Sequence, residues 1–195
     1  MTRYDSNTAL VVVDVQNDFA DPSGTLYVRG GDTEVVPAVN REVAGAVAAG
    51  ASVFYTQDWH PERTPHFAID GGIWPVHCVA GSTGADFYPD LKVEGPSVHK
   101  GANGEDGYSG FTMRDPVSGE TLPTPLASMI RKAGCRRVIV VGLALDYCVK
   151  DTALDSVREG FETVVLLGAT AAVNLAPDDG DKAIEELRQA GVTVS

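Results

Sequence analysis

Short, almost wholly apolar runs recur along this chain, and they constrain its fold more than any other feature. Ala9-Leu10-Val11-Val12-Val13, Ala51-Ser52-Val53-Phe54-Tyr55-Thr56, Val138-Ile139-Val140-Val141 and Thr163-Val164-Val165-Leu166-Leu167 each read as a strand. A strand with one face in water alternates apolar and polar residues, so runs like these belong to strands covered on both faces. Between them, apolar residues fall at helical spacing. Val35, Val36, Val39, Val43 and Val47 form one stripe, ended by Gly50, and Leu126, Met129, Ile130 and Ala133 form another, ended by Gly134. Val149, Ala153, Leu154, Val157 and Phe161 follow the third run, and Ala183, Ile184 and Leu187 follow the fourth, with Val192-Thr193-Val194 as a terminal strand. Strand and helix in alternation predict an α/β fold, a mostly parallel sheet with helices on both faces.

In such sheets ligands bind beyond the carboxyl ends of the strands. Asp14 ends the first strand, Asp58 follows the second, and Cys148 follows Val138–Val141 across the turn Gly142-Leu143-Ala144-Leu145-Asp146-Tyr147. These groups are expected on one rim. A cysteine in the first turn of a helix faces unpaired N–H groups and the positive end of the dipole, which stabilise a thiolate. The same N–H groups can hold the oxyanion formed when that thiolate attacks a carbonyl. Asp14 reads either as a residue that caps or turns the chain at the strand end or, buried at the rim, as a general base.

The stretch from Gln57 to Pro123 differs: it holds seven of the eleven prolines and ten of the twenty-one glycines, with little periodicity. Its aromatic residues, Trp59, Phe67, Trp74, Phe87, Tyr88, Tyr108 and Phe111, indicate an ordered, site-building region. Three of the chain's four histidines, His60, His66 and His77, lie in it within eighteen residues. Asp58 and His60 sit at i and i+2, so in an extended segment they point the same way and can grip one ion. Imidazole with carboxylate suits zinc, iron or manganese. Lys100, in His99-Lys100-Gly101, gains interest only from this company.

The length of 195 residues suits one domain, 1–195, with 57–123 as its loop-rich metal-site and lid region. A net charge of −12 argues against nucleic acid and anionic membranes as partners. There is no apolar run of about 20 residues. The polar start Met1-Thr2-Arg3-Tyr4-Asp5 shows no leader pattern, and three cysteines (Cys78, Cys135, Cys148) make no disulfide framework. A cytoplasmic protein is expected.

Five blocks together resemble the nicotinamidase/pyrazinamidase family of the isochorismatase-like cysteine hydrolases: Val13–Phe19, Asp58–Pro61, Trp74–Cys78, Lys100-Gly101 and Gly142–Val149. The resemblance spans nearly the whole chain. It implies an isochorismatase-like three-layer sandwich with about six strands. It implies a catalytic triad of Asp14, Lys100 and Cys148, and one divalent metal, zinc first among candidates, on Asp58, His60 and His77. His66 stands where some members place a further ligand. A non-proline cis peptide would join Leu143 to Ala144 and turn the Ala144 N–H inward, beside that of Cys148, as an oxyanion hole. Phe19, Trp74 and Tyr108 would pack on the substrate ring. The implied reaction is hydrolysis of nicotinamide, and of pyrazinamide, through a cysteine thioester in NAD salvage. Members occur in several oligomeric states, so a homo-oligomer is compatible. Leu145 departs from the family's usual small polar residue and is expected to reshape the pocket wall. On the residues alone, other readings stay open: an amidase acting on a carbamoyl or ureido group, a hydrolase using metal-bound water, and a silent binding protein.

Overall fold

The computed structural model describes residues 3–195. Eight strands form: β1 (Thr8–Val13), β2 (Ser52–Asp58), β3 (Ser97–Lys100), β4 (Thr112–Arg114), β5 (Thr121–Pro123), β6 (Arg137–Leu143), β7 (Glu162–Ala171) and β8 (Thr193–Val194). The helices are α1 (Asn17–Ala20), α2 (Val36–Ala48), α3 (Leu126–Lys132), α4 (Lys150–Arg158) and α5 (Asp179–Gln189). Six strands make one sheet in the order β3-β2-β1-β6-β7-β8, and every neighbouring pair is parallel.

The uninterrupted apolar runs divide between the two faces as expected. Leu10 and Val12 of β1 join Ile139 and Val141 of β6 under α2, whereas Ala9, Val11 and Val13 join Val138 and Val140 on the opposite face. Leu126 and Ile130 of α3, Ala153 of α4 and Leu187 of α5 cover that second face. Burying each such aliphatic side chain contributes about 1.5–3 kcal/mol before the entropy of ordering it.

Three sequence expectations need correction here, the first being Ala133, placed on the apolar stripe of α3 but exposed and just past the end of that helix. Val47, placed on the buried stripe of α2, is 49% exposed, and Ala46 is buried in its stead. Steps of four residues advance 40° beyond a full turn, so two steps from Val39 carry Val47 off the buried arc, while Ala46, seven residues on, stays in it. Phe161 lies past the end of α4 rather than on it, though it is buried. The segment without periodicity also hides a small antiparallel hairpin, β4 with β5.

The rim of the sheet is shaped by close backbone approach. Gly142, near the end of β6, has φ +110°, and a Cβ there would stand 2.1 Å from the Val13 carbonyl oxygen. Only glycine lets β6 lie this close to β1 where the first strand delivers Asp14.

Candidate active site

Asp14 directly follows β1, with φ +48° and its side chain fully buried. Its Oδ1 accepts a hydrogen bond from Thr56 Oγ1 at 2.7 Å, and its Oδ2 lies 2.6 Å from Lys100 Nζ. Lys100 is the last residue of β3, paired in the ladder with Asp58, the last residue of β2. Its ammonium also stands 2.8 Å from Asp58 Oδ1 and donates to the carbonyls of Gly107 and Tyr108. Burial would strip the proton from an isolated lysine, but Asp14 and Asp58 hold its pKa well above the ordinary value. Lys100 is therefore a charged group in the interior.

The two carboxylates respond differently. Burial raises Asp14 to about 6, opposed by Lys100. Burial acts on Asp58 as well, but Lys100 and the imidazoles of His60 and His77 outweigh it and hold Asp58 well below the usual range. Gln16 locks the end of β2 in place: its Nε2 donates to the Asp58 and Ala85 carbonyls, and its Oε1 accepts the Asp58 N–H, each at 2.8 Å.

Cys148 lies in a π-helical turn, Leu145–Val149, that leads into α4. Its sulfur and one oxygen each from Asp14 and Asp58 lie within 4.8 Å of one another. Burial pushes the thiol pKa well up; Lys100 opposes that, and Asp14 adds to it. Burial and the carboxylates thus disfavour the resting thiolate that the helix start suggested. Asp14 is a carboxylate adjacent to that thiol. The Leu143–Ala144 peptide is cis, and Ala144 lines the same cleft as Cys148. The Ala144 carbonyl accepts N–H groups of Tyr147 and Val149, while its own N–H has no acceptor among the described residues. Asp146 pins this turn to the loop after β7 by accepting the N–H groups of Val173 and Asn174 at 2.9 and 2.8 Å.

His60, His66 and His77 come together with one ligand atom each inside a 4.8 Å spread, all buried. Asp58 Oδ2 faces this group, 3.7 Å from His60 Nε2 and 3.8 Å from His77 Nε2. Asp58 therefore belongs to both clusters, one oxygen to each. His77 Nδ1 donates to the Pro75 carbonyl at 2.8 Å, which leaves Nε2 as a lone pair. Neither ring nitrogen of the fully buried His60 has a hydrogen-bond partner. An unsatisfied buried polar atom costs about 1–3 kcal/mol, and a cation at the cluster would offset that for the nitrogen facing it. Burial, then the neighbouring imidazoles, lower His66 to about 4, so it is neutral at pH 7, as ligation requires. Three imidazoles and a carboxylate match the donor set of a tetrahedral transition-metal site.

The cleft above Cys148 holds about 430 Å³, part of it open to solvent. Asp58, His66 and His77 line one side; Phe19, Trp74, Tyr108 and Tyr147 supply aromatic walls. Trp74 Nε1 donates to the Tyr108 hydroxyl at 2.8 Å, and Tyr147 meets Trp74 edge-on with centroids 5.0 Å apart. Phe19, Trp74 and Tyr108, picked out from sequence, all face the cleft. Leu145 does not: it is buried in the apolar cluster that also holds Val149 and Leu126, so the expected change to the pocket wall is not found. Sequence reasoning missed Tyr147, whose place beside Cys148 in the turn was the available signal. It also missed Leu26, Val28, Leu143 and Val173, apolar residues with no signature of their own.

Comparisons with known proteins agree with this geometry. The family model "Isochorismatase domain" matches residues 8–195. The chain is similar to the nicotinamidase/pyrazinamidase of Mycobacterium tuberculosis, 40% identical over 192 residues, which cover 94% of this chain and 96% of that protein. Among solved structures it is similar to the pyrazinamidase of Pyrococcus horikoshii in complex with zinc, with a TM-score of 0.85, 37% identity, and 97% and 98% of the two chains covered. It is also similar to PnC1 from L. infantum in complex with nicotinate, with a TM-score of 0.86, 35% identity, and 98% and 94% covered. Sheet order, rim residues and these full-length likenesses agree: the chain belongs to the isochorismatase family and, within it, to the nicotinamidase/pyrazinamidases.

Proposed function

We propose that this protein is a nicotinamidase, hydrolysing nicotinamide to nicotinate and ammonia through a thioester on Cys148, accepting pyrazinamide, and serving NAD salvage. The observation that carries the reading is the aromatic-walled slot lined by Cys148, His66 and His77, with the thiol beside the buried Asp14–Lys100 pair. A planar heteroaromatic amide fits such a slot, with its carboxamide at the sulfur and its ring nitrogen toward the imidazoles. We take residues 1–195 as one functional unit, since β1, β2, β3 and β6 all contribute to the rim.

Asp14, ionised above about 6, takes the thiol proton of Cys148. The sulfur attacks the carboxamide carbon, and the carbonyl oxygen becomes an oxyanion held by the N–H groups of Ala144 and Cys148; one such donor is worth about 2.7–4 kcal/mol of barrier. Asp14 passes its proton to the amide nitrogen as the C–N bond breaks and ammonia leaves. Water then gives a proton to Asp14 as its oxygen adds to the thioester; the C–S bond breaks as Asp14 returns that proton to the sulfur, regenerating the thiol and releasing nicotinic acid, which ionises to nicotinate. Lys100 stays charged throughout and keeps the carboxylates and sulfur in register. When bound on Asp58, His60, His66 and His77, a divalent metal, zinc first and iron or manganese next, supplies an anchor for the ring nitrogen, a matter of positioning.

Ammonia release from nicotinamide by the zinc-reconstituted protein tests this, with Cys148→Ala as control. Turnover that vanishes in the variant while its zinc content holds supports the thioester route. A zinc-loaded protein that leaves nicotinamide intact but cleaves a ureido substrate overturns the assignment. Inactivation by iodoacetamide separates the thiol route from attack by metal-bound water.

A further inference from the structure

The three histidines are not held alike, and the difference exposes a residue outside both clusters. His77 has its Nδ1–H fixed by a backbone carbonyl, and His60 has nothing on Nδ1. His66 has a carboxylate: its Nδ1 lies 3.2 Å from Asp106 Oδ1, with side-chain exposures of 4% and 16%. Resting on the metal-site reading above, we propose that Asp106 is a positioning residue that holds His66 with Nδ1–H outward and Nε2 toward the ion, making it a full ligand.

A neutral imidazole has two tautomers and can turn over about its Cβ–Cγ bond, so an unsupported ring offers a ligating lone pair only part of the time. An outer carboxylate removes that freedom and raises the basicity of the ligating nitrogen. Asp106 can do this because its own place is fixed. Its N–H donates to the Arg114 carbonyl at 2.8 Å, and Arg114 Nη1 stands 4.0 Å from its second oxygen. The loop that carries Asp106 is stapled to the His66 turn by Thr64. The hydroxyl of Thr64 donates to the Gly104 carbonyl at 2.9 Å and accepts the His66 N–H at 3.2 Å. His66 then stacks on His60, with centroids 4.8 Å apart and planes 20° from parallel. Orienting one ring thus helps orient the ring that lacks an outer partner. Asp106 does not itself line the cleft and reaches it only through His66, so its effect is expected in metal retention.

The test is the zinc dissociation constant, by competition with a chromophoric chelator, for wild type, Asp106→Ala, Asp106→Asn, His66→Ala and the Asp106→Ala/His66→Ala double variant. Asp106→Ala is expected to bind zinc about 10–100-fold more weakly. Asp106→Asn keeps an acceptor for the Nδ1 hydrogen and should recover part of that loss, with an unfolding midpoint like wild type in the metal-free state. In the His66→Ala background the Asp106 change should alter affinity by less than about twofold, because the pathway is gone. The visible bands of the cobalt-substituted protein should shift in Asp106→Ala but not between His66→Ala and the double variant. Wild-type zinc affinity in Asp106→Ala, or losses that simply multiply in the double variant, would overturn the proposal. Undiminished zinc binding in His60→Ala and His77→Ala would instead bring down the metal site itself, and this inference with it.

Discussion

Replacing Lys100 with methionine tests the buried charge arrangement most directly, because methionine keeps much of the side chain's length and removes only the ammonium. In the wild type that ammonium stands 2.6 Å from Asp14 and 2.8 Å from Asp58, with none of the side chain exposed. Without it, two buried carboxylates face each other. Removing one partner of a buried ion pair costs about 3–5 kcal/mol. For a chain of this size about 2–4 °C of melting temperature goes with each kcal/mol, so Tm should fall by about 6–20 °C. The pH dependence has a definite sign. A carboxyl whose folded pKa is raised contributes stability below its unfolded value, and that contribution is lost as pH climbs through the folded one. Wild-type Asp14, at about 6, has completed this loss by neutral pH. In Lys100→Met the raised value moves higher still, so stability keeps falling above pH 6, with a limiting slope of about 1.4 kcal/mol per pH unit for one proton. Urea unfolding of the metal-free proteins at pH 6 and pH 8 measures both quantities. A deficit under about 1 kcal/mol at pH 8, or one equal at the two pH values, would refute the reasoning.

Three further outcomes follow from particular contacts. The acid limb of kcat/KM for ammonia release should centre near pH 6, the Asp14 value, and fall tenfold per unit below it; a limb centred near 4 would mean burial does not govern the base. Gly101→Ala places a Cβ 2.5 Å from His60 Cε1 at φ +71°, so about 1–2 kcal/mol of backbone strain should accompany loss of zinc on dialysis. Full zinc content with unchanged Tm would show that the loop yields. Leu145→Ala should cost about 2–5 kcal/mol of stability and leave KM for nicotinamide unchanged, because the side chain packs in the core; a large KM change would put it back in the pocket.

The sheet was legible because its signal is local: a run such as Val138–Val141, buried on both faces, has no polar interruption to misread. The rim positions of Asp14, Asp58 and Cys148 followed from the rule that parallel sheets present their strand ends together. Lys100 was not legible in the same way. A lysine is ordinarily a solvated charge, and its complete burial depends on carboxylates more than forty residues away in the chain, delivered by two other strands. The raised thiol pKa of Cys148 escaped for the same reason, since the local helix start argues one way and distant carboxylates the other. Leu145 was misjudged because adjacent residues in a tight turn diverge, and it is Tyr147 that reaches the cleft. Asp106 lies among glycines in a segment with no period, where nothing in sequence announces its contact with His66.

The pairing of Asp58 with Lys100 across β2 and β3 has a bearing on how the sheet acquires its outermost strand. β3 is four residues long, at the edge, and carries Val98 as its only buried apolar side chain. Apolar patterning offers little to distinguish one alignment of so short a strand from another. A slip by one position would set His99 or Gly101 opposite Asp58 and strand both carboxylates in the interior without a cation. The charges thus act as a proof-reader for the edge: the alignment that neutralises them is the one that assembles the proposed triad, so a chain that completes its sheet in register has already set those groups in place.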